Sequence, residues 1–269
     1  MIPISVHLLT KNSAVTLPRA LASAPGAAEM LVIDGGSTDG TVDIATKAGA
    51  KIIVQPANAL DASGIRDFSA VRNVALKEST QPWIFVLDSD EAASQELWQS
   101  ACRVAESAKD PAAYLVARRY VRPDGVVIQR ASTYPNERLY FFHRDAVEKW
   151  IKPVHERVLL KPGVNILRLA SFTLAPLPTV EEFKRKNRRY LAIEVALSGD
   201  KSWRTWFTSR LLHTLRSRLI ALVRLAGIWL VPGGGPRLPL RHELLRFWYA
   251  WRLIVETCPL TLRNRPRVL

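Results

Sequence analysis

The chain is poor in cysteine, in glycine and in long apolar runs, and each shortage excludes a class of protein. Two cysteines in 269 residues, Cys102 and Cys258, cannot build a disulfide framework and fit a reducing compartment. Thirteen glycines and 17 prolines are too few for a collagen-like or low-complexity chain. Because 48% of the residues are hydrophobic, the chain can bury a substantial core as one large domain or two small ones.

The sequence also lacks a stretch that predicts a signal peptide or a membrane span. The first residues, Met-Ile-Pro-Ile, have no basic segment followed by a long apolar run. A spanning helix needs about 20 mostly apolar residues. The best candidate, 211–231, is interrupted by His213, Arg216, Arg218 and Arg224. We therefore predict no transmembrane segment.

Positive charge is abundant, but only in the second part of the chain. The formal net charge is +14, yet residues 1–150 contain 16 Lys and Arg against 17 Asp and Glu. Residues 151–269 contain 22 against 7, together with five of the eight tryptophans. This asymmetry predicts two regions with different tasks. The basic region suits nucleic acid, an anionic membrane or an acidic substrate.

Strand-like and helix-like patterns alternate in the first part of the chain. Four short apolar runs predict buried strands: 4–9, 30–33, 51–54 and 83–87. Alternation with helices is typical of an α/β fold with a mostly parallel sheet, in which ligands bind beyond the carboxyl ends of the strands. Polar clusters follow three of the runs: Thr10-Lys11-Asn12, Asp34 to Asp39, and Asp88 to Glu91. We therefore predict one site built by three loops.

The pattern changes after Pro111. Strands of a mixed or antiparallel segment are predicted at 114–121, 126–129 and 138–142, followed by a polar interruption and a basic helix. From Trp203 the chain is helical and cationic. We predict a catalytic domain over residues 1–200 and a basic, Trp-rich helical tail over residues 201–269.

Residues 241–256 of the tail predict an amphipathic helix. Its apolar face would carry Leu244, Phe247, Trp248, Trp251, Ile254 and Val255, opposite a face rich in arginine. Aromatic residues facing arginines are typical of helices that lie on a membrane surface. The alternative is a helix packed on the catalytic domain. The helix predicted over residues 203–230 has arginines all round it and is less cleanly amphipathic; the alternative to a packed helix is that it lies at a headgroup region with its arginines snorkelling.

Asp88 and Asp90 are the strongest candidates for chemistry. Two carboxylates one residue apart at the end of a buried strand form a hard-oxygen site that suits Mg²⁺ or Mn²⁺. The alternative is a solvated acidic turn that caps the helix beginning near Ser94. The Gly-rich segment 34–40 likewise permits two interpretations: it is a capped loop, or Asp34 in addition accepts a hydrogen bond from a nucleobase.

Together these segments resemble family 2 glycosyltransferases, which have a GT-A fold. The resemblance covers about residues 1–200 and rests on ordered motifs: Thr10-Lys11-Asn12, Asp34 with Gly36-Ser37-Thr38-Asp39, Asp67 to Leu76, and Leu87 to Glu91. Gly35 replaces a second aspartate that the family usually has. Pro153 to Val158 resembles the Val-His-Glu motif of a branch that adds glucose to the lipopolysaccharide core.

The resemblance implies a role for each matching residue. The donor nucleotide-sugar, a UDP-sugar by expectation, would be bound by Thr10, Lys11, Asn12, Asp34, Gly36, Ser37, Asp39, Arg72, Asp88 and Ser89. A divalent cation would be ligated by Asp88 and Asp90. Glu156 would be the general base, with His155 as the competing candidate. Relatives often have a later histidine that completes the metal site, whereas residues 169–176 have none, so ligands beyond Asp90 stay unassigned.

The implied function is inverting transfer of a sugar to a lipid-linked or lipopolysaccharide-type glycan. We expect a cytoplasmic enzyme attached peripherally to the inner face of the cell membrane, with no nucleic-acid partner. Two alternatives are a methyltransferase with a degenerate cofactor loop and a nucleic-acid-binding protein that uses the basic tail. Thr38 stands where the methyltransferase loop needs a glycine, and nucleic-acid binding leaves Asp88 and Asp90 unexplained.

Overall fold

The computed structural model describes residues 1–61, 64–108, 110–198 and 202–259. The strands within these ranges are β1 (Ile2–Thr10), β2 (Ala27–Asp34), β3 (Lys51–Val54), β4 (Leu60–Asp61), β5 (Gly64–Ile65), β6 (Trp83–Asp88), β7 (Ala92–Ala93), β8 (Ala112–Val121), β9 (Asn136–His143), β10 (Val147–Ile151), β11 (Arg157–Leu160) and β12 (Asn165–Pro176). The α-helices are α1 (Leu17–Ala22), α2 (Thr41–Lys47), α3 (Phe68–Glu78), α4 (Gln95–Ser107), α5 (Val180–Ser198), α6 (Trp203–Trp206), α7 (His213–Leu230) and α8 (Leu240–Glu256). A π-helical segment, Phe207–Leu212, joins α6 to α7.

Eight strands form one sheet in the order β3-β2-β1-β6-β9-β8-β12-β7. Strands β3, β2, β1 and β6 are parallel, and β8 is parallel to β12. Strand β9 runs antiparallel between β6 and β8. The predicted α/β class with a mostly parallel sheet is confirmed, as is the mixed segment after Pro111.

The central strands are buried on both faces: in β1 one face is apolar, and the other carries Ser5 and His7, which also have no exposed surface. In β1, Ile4, Val6 and Leu8 have no exposed surface and belong to the main core cluster. Burying one such side chain stabilises the fold by about 1.5–3 kcal/mol. Side chains at the helix starts fix where the helices begin: Asp67 accepts from Ala70 N at 3.0 Å, and Ser94 accepts from Leu97 N at 3.2 Å.

Several predicted elements differ from the structure. A polar interruption was predicted over Lys152 to Val158; residues 152–156 form the turn of a hairpin, whereas Arg157 and Val158 belong to β11, which pairs antiparallel with β10. Residues 126–129, predicted as a strand, form no strand; Gln129 N and Arg130 N instead donate to Pro236 O. Strand β12 was not among the predicted strands.

The chain divides into two compact units. The first contains residues 1–125 and 135–176, and the second contains residues 126–134 and 177–269. The boundary predicted at residue 200 therefore lies within the second unit. The reason is that α5 packs against α8.

Buried polar contacts hold the second unit together. Glu243 on α8 is buried and accepts from the backbone N of Ser132 at 2.8 Å and from its hydroxyl at 2.5 Å. His242 Nε2 lies 2.9 Å from Pro178 O. Arg210 donates to Glu194 on α5 at 2.8 Å. These contacts tie the segment before α5, the π-helical segment and α8 to one another.

The predicted apolar face of α8 is partly covered. Leu244 and Trp251 are exposed, while Trp248 is half-buried. The residues of α8 that are fully buried lie elsewhere on the helix, at Leu245 and Ala250 among others. None of the described helices combines the length and the hydropathy that crossing a membrane requires.

Candidate active site

The strand register brings the three predicted loops together. Thr10 at the end of β1 pairs with Asp34 at the end of β2, and Leu9 pairs with Asp88 at the end of β6. Because the three strands are parallel neighbours, the polar residues that follow them meet at one edge of the sheet. A link from the third loop to the first is direct, since the hydroxyls of Ser13 and Ser89 are 3.0 Å apart.

The Asp34 carboxylate is enclosed by donors from its own surroundings. Thr10 Oγ1 donates to it at 3.0 Å and Ser37 Oγ at 2.5 Å. The backbone N–H groups of Gly36 and Ser37 donate at 2.9 and 2.8 Å. A carboxylate has about four acceptor positions, so these four donors occupy them. Asp34 therefore shapes the loop, and its predicted contact with a nucleobase would have to displace one of these donors.

Asn12 and Asp39 lock the first loop onto the second. Asn12 adopts a left-handed conformation (φ +51°), its N–H donates to Ser37 Oγ at 2.8 Å, and its Oδ1 accepts from Thr38 N at 2.8 Å. Asp39 accepts from Ala14 N at 3.1 Å and from the Thr41 hydroxyl at 2.5 Å. The hydrogen bond from Thr41 lowers the pKa of Asp39 below its usual value. These two side chains thus have structural partners in addition to their predicted ligand roles.

Lys11 and Gly36 lie on the open side of these loops. Both are exposed. Gly36 has a φ of +76°, a conformation that glycine adopts without strain, and a Cβ added there would meet nothing within 4 Å. Lys11 and Gly36, which were both predicted to bind the donor nucleotide-sugar, therefore lie on an accessible surface of the loop.

A buried glutamine occupies the space beside Gly35. A Cβ at position 35 would lie 2.9 Å from Gln55 Oε1, so the aspartate usual in the family would require the Gln55 side chain to shift. Gln55 Nε2 donates to the carbonyls of Thr10 and Ile33 at 3.2 and 3.0 Å, which joins the ends of β1 and β2. The side chain is 3% exposed, and its Oε1 has no hydrogen-bond partner. Gln55 and Gly35 thus form a matched pair that the sequence pattern did not reveal.

Two arginines bracket Asp88. Arg72 Nη2 on α3 donates to Asp88 Oδ1 at 2.9 Å, and Arg138 Nη1 on β9 approaches Oδ2 at 3.4 Å. Arg138 also donates to the Tyr140 hydroxyl at 2.8 Å. Both oxygens of the predicted metal ligand therefore face a cation.

Arg72 is buried in an aromatic enclosure. Its guanidinium lies 5.5 Å from the ring centroids of both Tyr140 and Trp150. Burial by itself lowers the pKa of Arg72, but the carboxylates of Asp88 and Glu156 hold the pKa above its ordinary value. Burial also raises the pKa of the Tyr140 hydroxyl. Arg72 is thus a permanent cation, and Tyr140 is neutral beside it.

Arg72 also connects Asp88 to the predicted general base. Its Nε lies 3.5 Å from Glu156 Oε1, and the Glu156 side chain is only 15% exposed. His155 is exposed and has a left-handed backbone (φ +54°). The structure therefore brings Glu156 to Arg72 and, through Arg72, to Asp88.

Helix α3 fixes this part of the site onto the β10–β11 hairpin. The Asn73 side chain donates to Trp150 O at 2.9 Å and accepts from Trp150 N at 2.8 Å. Phe68 N donates to Pro153 O at 2.9 Å. Because both contacts flank Arg72 in sequence, they hold the turn that carries Glu156 against the guanidinium.

The acidic loop after β6 has the donors that a divalent cation needs. Within the described residues, one carboxylate oxygen each from Asp88, Asp90 and Glu91 lie within 4.8 Å of one another. Glu91 is buried and paired with Arg118 at 2.7 Å, and its burial raises its pKa. Asp90 is half-exposed. Hard oxygen donors in this arrangement fit Mg²⁺ or Mn²⁺, and Asp88 and Asp90 are more accessible than the buried Glu91.

Sequence reasoning missed four residues of this site: Gln55, Arg138, Tyr140 and Trp150. Arg138 and Tyr140 are two positions apart on β9 and so share one face of a strand next to β6. That spacing could have indicated them. Gln55 follows β3, and Trp150 lies on the β10–β11 hairpin, which was not predicted. No local sequence pattern indicates either residue.

Comparison with known proteins agrees with these features. The model for Glycosyl transferase family 2 matches residues 5–157. A TPR repeat-containing protein of Synechococcus elongatus is 30% identical over 262 residues, which cover 91% of this chain and 60% of that protein. An uncharacterized glycosyltransferase of Rickettsia felis is 39% identical over 95 residues, 35% of this chain and 31% of that protein. This chain thus spans less than two thirds of the length of either relative.

Two further similarities concern a named enzyme and a solved structure. The lipopolysaccharide core biosynthesis glycosyltransferase LpsC of Rhizobium meliloti is 25% identical over 194 residues, 70% of this chain and 68% of that one. A mannosyltransferase of Pyrobaculum calidifontis, solved with GDP-Man and Mn²⁺, superposes with a TM-score of 0.50 at 12% identity, covering 97% of this chain and 86% of that one. The family model covers more than half of the chain, and the chain therefore belongs to glycosyltransferase family 2, with a GT-A fold.

Proposed function

We propose that this protein is an inverting glycosyltransferase that moves a sugar from a nucleotide-sugar to a lipid-linked glycan. The observation that carries the proposal is the cluster in which Arg72 joins Asp88 to Glu156 beside the acidic loop. Such a cluster has cations for a diphosphate and a carboxylate for a hydroxyl proton. Neither the methyltransferase nor the nucleic-acid alternative is favoured by the family to which the chain belongs.

The donor would lie across the ends of β1, β2 and β6. In this proposal the loops that carry Thr10, Lys11, Asn12, Asp34, Gly36, Ser37 and Asp39 bind the nucleoside, and Ser89 and Asp88 lie near its ribose and phosphates. Arg72 and Arg138 are the described cations that contact Asp88, and they would stabilise the charge that grows on the departing diphosphate.

Asp88 and Asp90 would hold Mg²⁺ or Mn²⁺, because the carboxylate oxygens of the acidic loop lie close enough together to ligate one divalent cation. When bound, the cation supplies a Lewis acid that neutralises charge on the diphosphate. The Pyrobaculum mannosyltransferase was solved with Mn²⁺, which supports this part of the proposal. Comparing donor binding with and without Mn²⁺ measures the metal dependence.

Glu156 would act as the general base. The acceptor oxygen attacks the anomeric carbon, the bond from that carbon to the diphosphate oxygen breaks, and the hydroxyl proton passes to Glu156. A positioned base accelerates such a step by about 10²–10⁴-fold. The rigid turn held by Asn73 and Phe68 gives Glu156 a fixed position.

The acceptor is proposed from similarity to a lipopolysaccharide core enzyme. LpsC supports a lipid-anchored glycan as the acceptor, and such an acceptor favours an enzyme on the inner face of the cell membrane. The basic second part of the chain is in accord with an anionic surface of that kind.

The test is donor binding followed by transfer. The full chain is screened by thermal shift against UDP-, GDP- and dTDP-sugars with and without Mn²⁺, and a stabilised donor is then offered to lipid-linked glycans with mass-spectrometric detection. We expect stabilisation by at least one donor and a product heavier by one sugar. Glu156→Gln should bind the donor but transfer at least 10²-fold more slowly. No stabilisation by any donor, or full transfer by Glu156→Gln, would contradict the proposal.

A further inference from the structure

The second unit exposes an apolar stripe along α7. Its members are large hydrophobic side chains, all of them more than 40% exposed, and their spacing is one, three or four residues once the exposed Ala226 is counted: Leu215, Leu219, Leu222, Val223, Trp229 and Leu230 on α7, with Leu212 at the end of the π-helical segment before it. Positions with this spacing lie on one face of a helix. The opposite side of α7 is the packed one, since Thr214 and Ala221 are buried there. The fully buried positions of α7 are therefore small residues, with Leu225 and Ile228 partly buried on the same side, and the large side chains of the stripe face outside.

The stripe is too long to be explained as isolated exposed hydrophobic residues. At 1.5 Å per residue, positions 212–230 extend about 27 Å. Scattered single hydrophobic residues are normal on a protein surface, whereas a continuous apolar row marks a binding surface. The side chain at Leu219 is 63% exposed and that at Val223 is 67% exposed, so the middle of the row is fully accessible.

The charge around the stripe is of one sign. The segment 203–230 contains five arginines and no Asp or Glu. Arg216 and Arg224 are exposed on α7 itself. Two tryptophans stand near the ends of the run: Trp203 is exposed at the start of α6, and Trp229 is exposed near the end of α7. Tryptophan near the ends and arginine at the side are typical of a helix that lies in a headgroup layer.

We infer that α7 is the membrane-docking face of this protein and that its occupant is an anionic lipid leaflet. The helix would lie in the plane of the leaflet, with the stripe among the acyl chains and the arginines among the headgroups. A second copy of this chain fits less well, because two such helices would bring arginines against arginines with no acid to pair them. This inference locates attachment on α7, whereas the sequence pattern had favoured α8.

The inference is tested by flotation of the full chain with vesicles. One set contains 30% phosphatidylglycerol in phosphatidylcholine, and the other contains phosphatidylcholine alone. The variant Leu219→Gln/Val223→Gln removes apolar area without changing charge. Matched controls are Leu244→Gln on α8 and Val54→Gln on β3, both at exposed apolar positions. Arg216→Gln tests the charge, since each arginine near such a surface contributes about a fivefold change in binding.

We expect the wild-type chain to float with the anionic vesicles, and the α7 double variant to lose at least tenfold in partitioning while both controls keep it. Undiminished binding by the double variant, or a loss produced by Leu244→Gln instead, would overturn the inference. So would a wild-type dimer in light scattering that the double variant converts to monomer, because a second copy would then cover the stripe. Donor binding by thermal shift is measured on the same proteins and stays unchanged, so a failed donor site would not be mistaken for a failed membrane face.

Discussion

Arg72 on α3 donates a 2.9 Å hydrogen bond to Asp88 at the end of β6, and the arginine of this pair is buried. The pair joins a helix to the last strand of the parallel part of the sheet. Glu156, 3.5 Å from the same guanidinium, adds the β10–β11 turn. A single side chain thus sets the distance between the proposed leaving-group site and the proposed base.

Replacing Arg72 by Ala should destabilise the protein and abolish transfer. Loss of one partner of a buried ion pair costs about 3–5 kcal/mol, and Asp88 would keep only the longer contact to Arg138. The free energy of unfolding is measured by urea titration, and transfer is measured under conditions where the variant is folded. Arg72→Lys keeps the charge but cannot reach both carboxylates as a fork, so we expect recovered stability without recovered kcat. Equal kcat for Arg72→Lys and the wild type would show that bridging is unimportant.

Arg138 should compete with the metal for Asp88. Its Nη1 lies 3.4 Å from Oδ2, where a cation would also sit. Removing a nearby positive charge strengthens cation binding at a carboxylate. We therefore expect Arg138→Ala to bind Mn²⁺ about tenfold more tightly without nucleotide and to bind the donor more weakly, since it lacks a phosphate contact. Electron paramagnetic resonance of free Mn²⁺ gives the first quantity, and calorimetry gives the second.

A matched control for that variant is Arg168→Ala on β12. Arg168 pairs with Glu137 at 2.9 Å on the surface and contacts no residue of the acidic loop in the described ion pairs. It should change neither affinity. Parallel losses of metal and donor binding in Arg138→Ala would show that the arginine supports the metal site instead of competing with it.

Gly35→Ala should destabilise the loop that carries Asp34. The new Cβ would lie 2.9 Å from Gln55 Oε1, and Gln55 is held by two backbone carbonyls. Overpacking of this kind costs about 1–3 kcal/mol. Thermal or urea unfolding measures the change. Gln55→Ala in the same chain should restore part of the loss, because the space is then available; strictly additive effects of the two changes would disprove the contact.

The sequence predicted the site where its signal was local. Asp88, Asp90, Asp34 and Thr10 each follow an apolar run, and the rule that parallel strands end at one edge was enough to group them. The Glu156 turn was predicted through a motif, but its contact with Arg72 depends on a hairpin whose strands have mixed burial. No periodicity marks such a hairpin.

Contacts between side chains far apart in the chain could not be predicted from the sequence, for a different physical reason. Gln55 fills a gap left by Gly35, and Arg138 reaches Asp88 across an antiparallel neighbour, so each depends on a partner 20 or more positions away. On α7 the arginines hid an apolar face in the sequence, because only packing shows which side of a helix is covered. The membrane-facing surface predicted on α8 was chosen from its amphipathic pattern alone, without knowing which side of that helix is covered.

His7 should make the protein less stable in acid. His7 is fully buried on β1, and its Nε2 lies 2.5 Å from Ser79 Oγ. Because the Ser79 hydroxyl already donates its proton to Ala75 O, Nε2 of the neutral His7 ring is the donor in this hydrogen bond. Burial, helped by the charge of Arg72, lowers its pKa from 6.5 to about 3. Between these values the unfolded chain binds a proton that the folded chain does not, so each pH unit below 6.5 removes about 1.4 kcal/mol of stability. Between pH 7 and pH 4.5 the free energy of unfolding, measured by urea titration, should fall by about 2.5 kcal/mol less in His7→Gln than in the wild type. The exposed His213→Asn should leave that difference unchanged, and an equal pH dependence in all three proteins would contradict a neutral, buried His7.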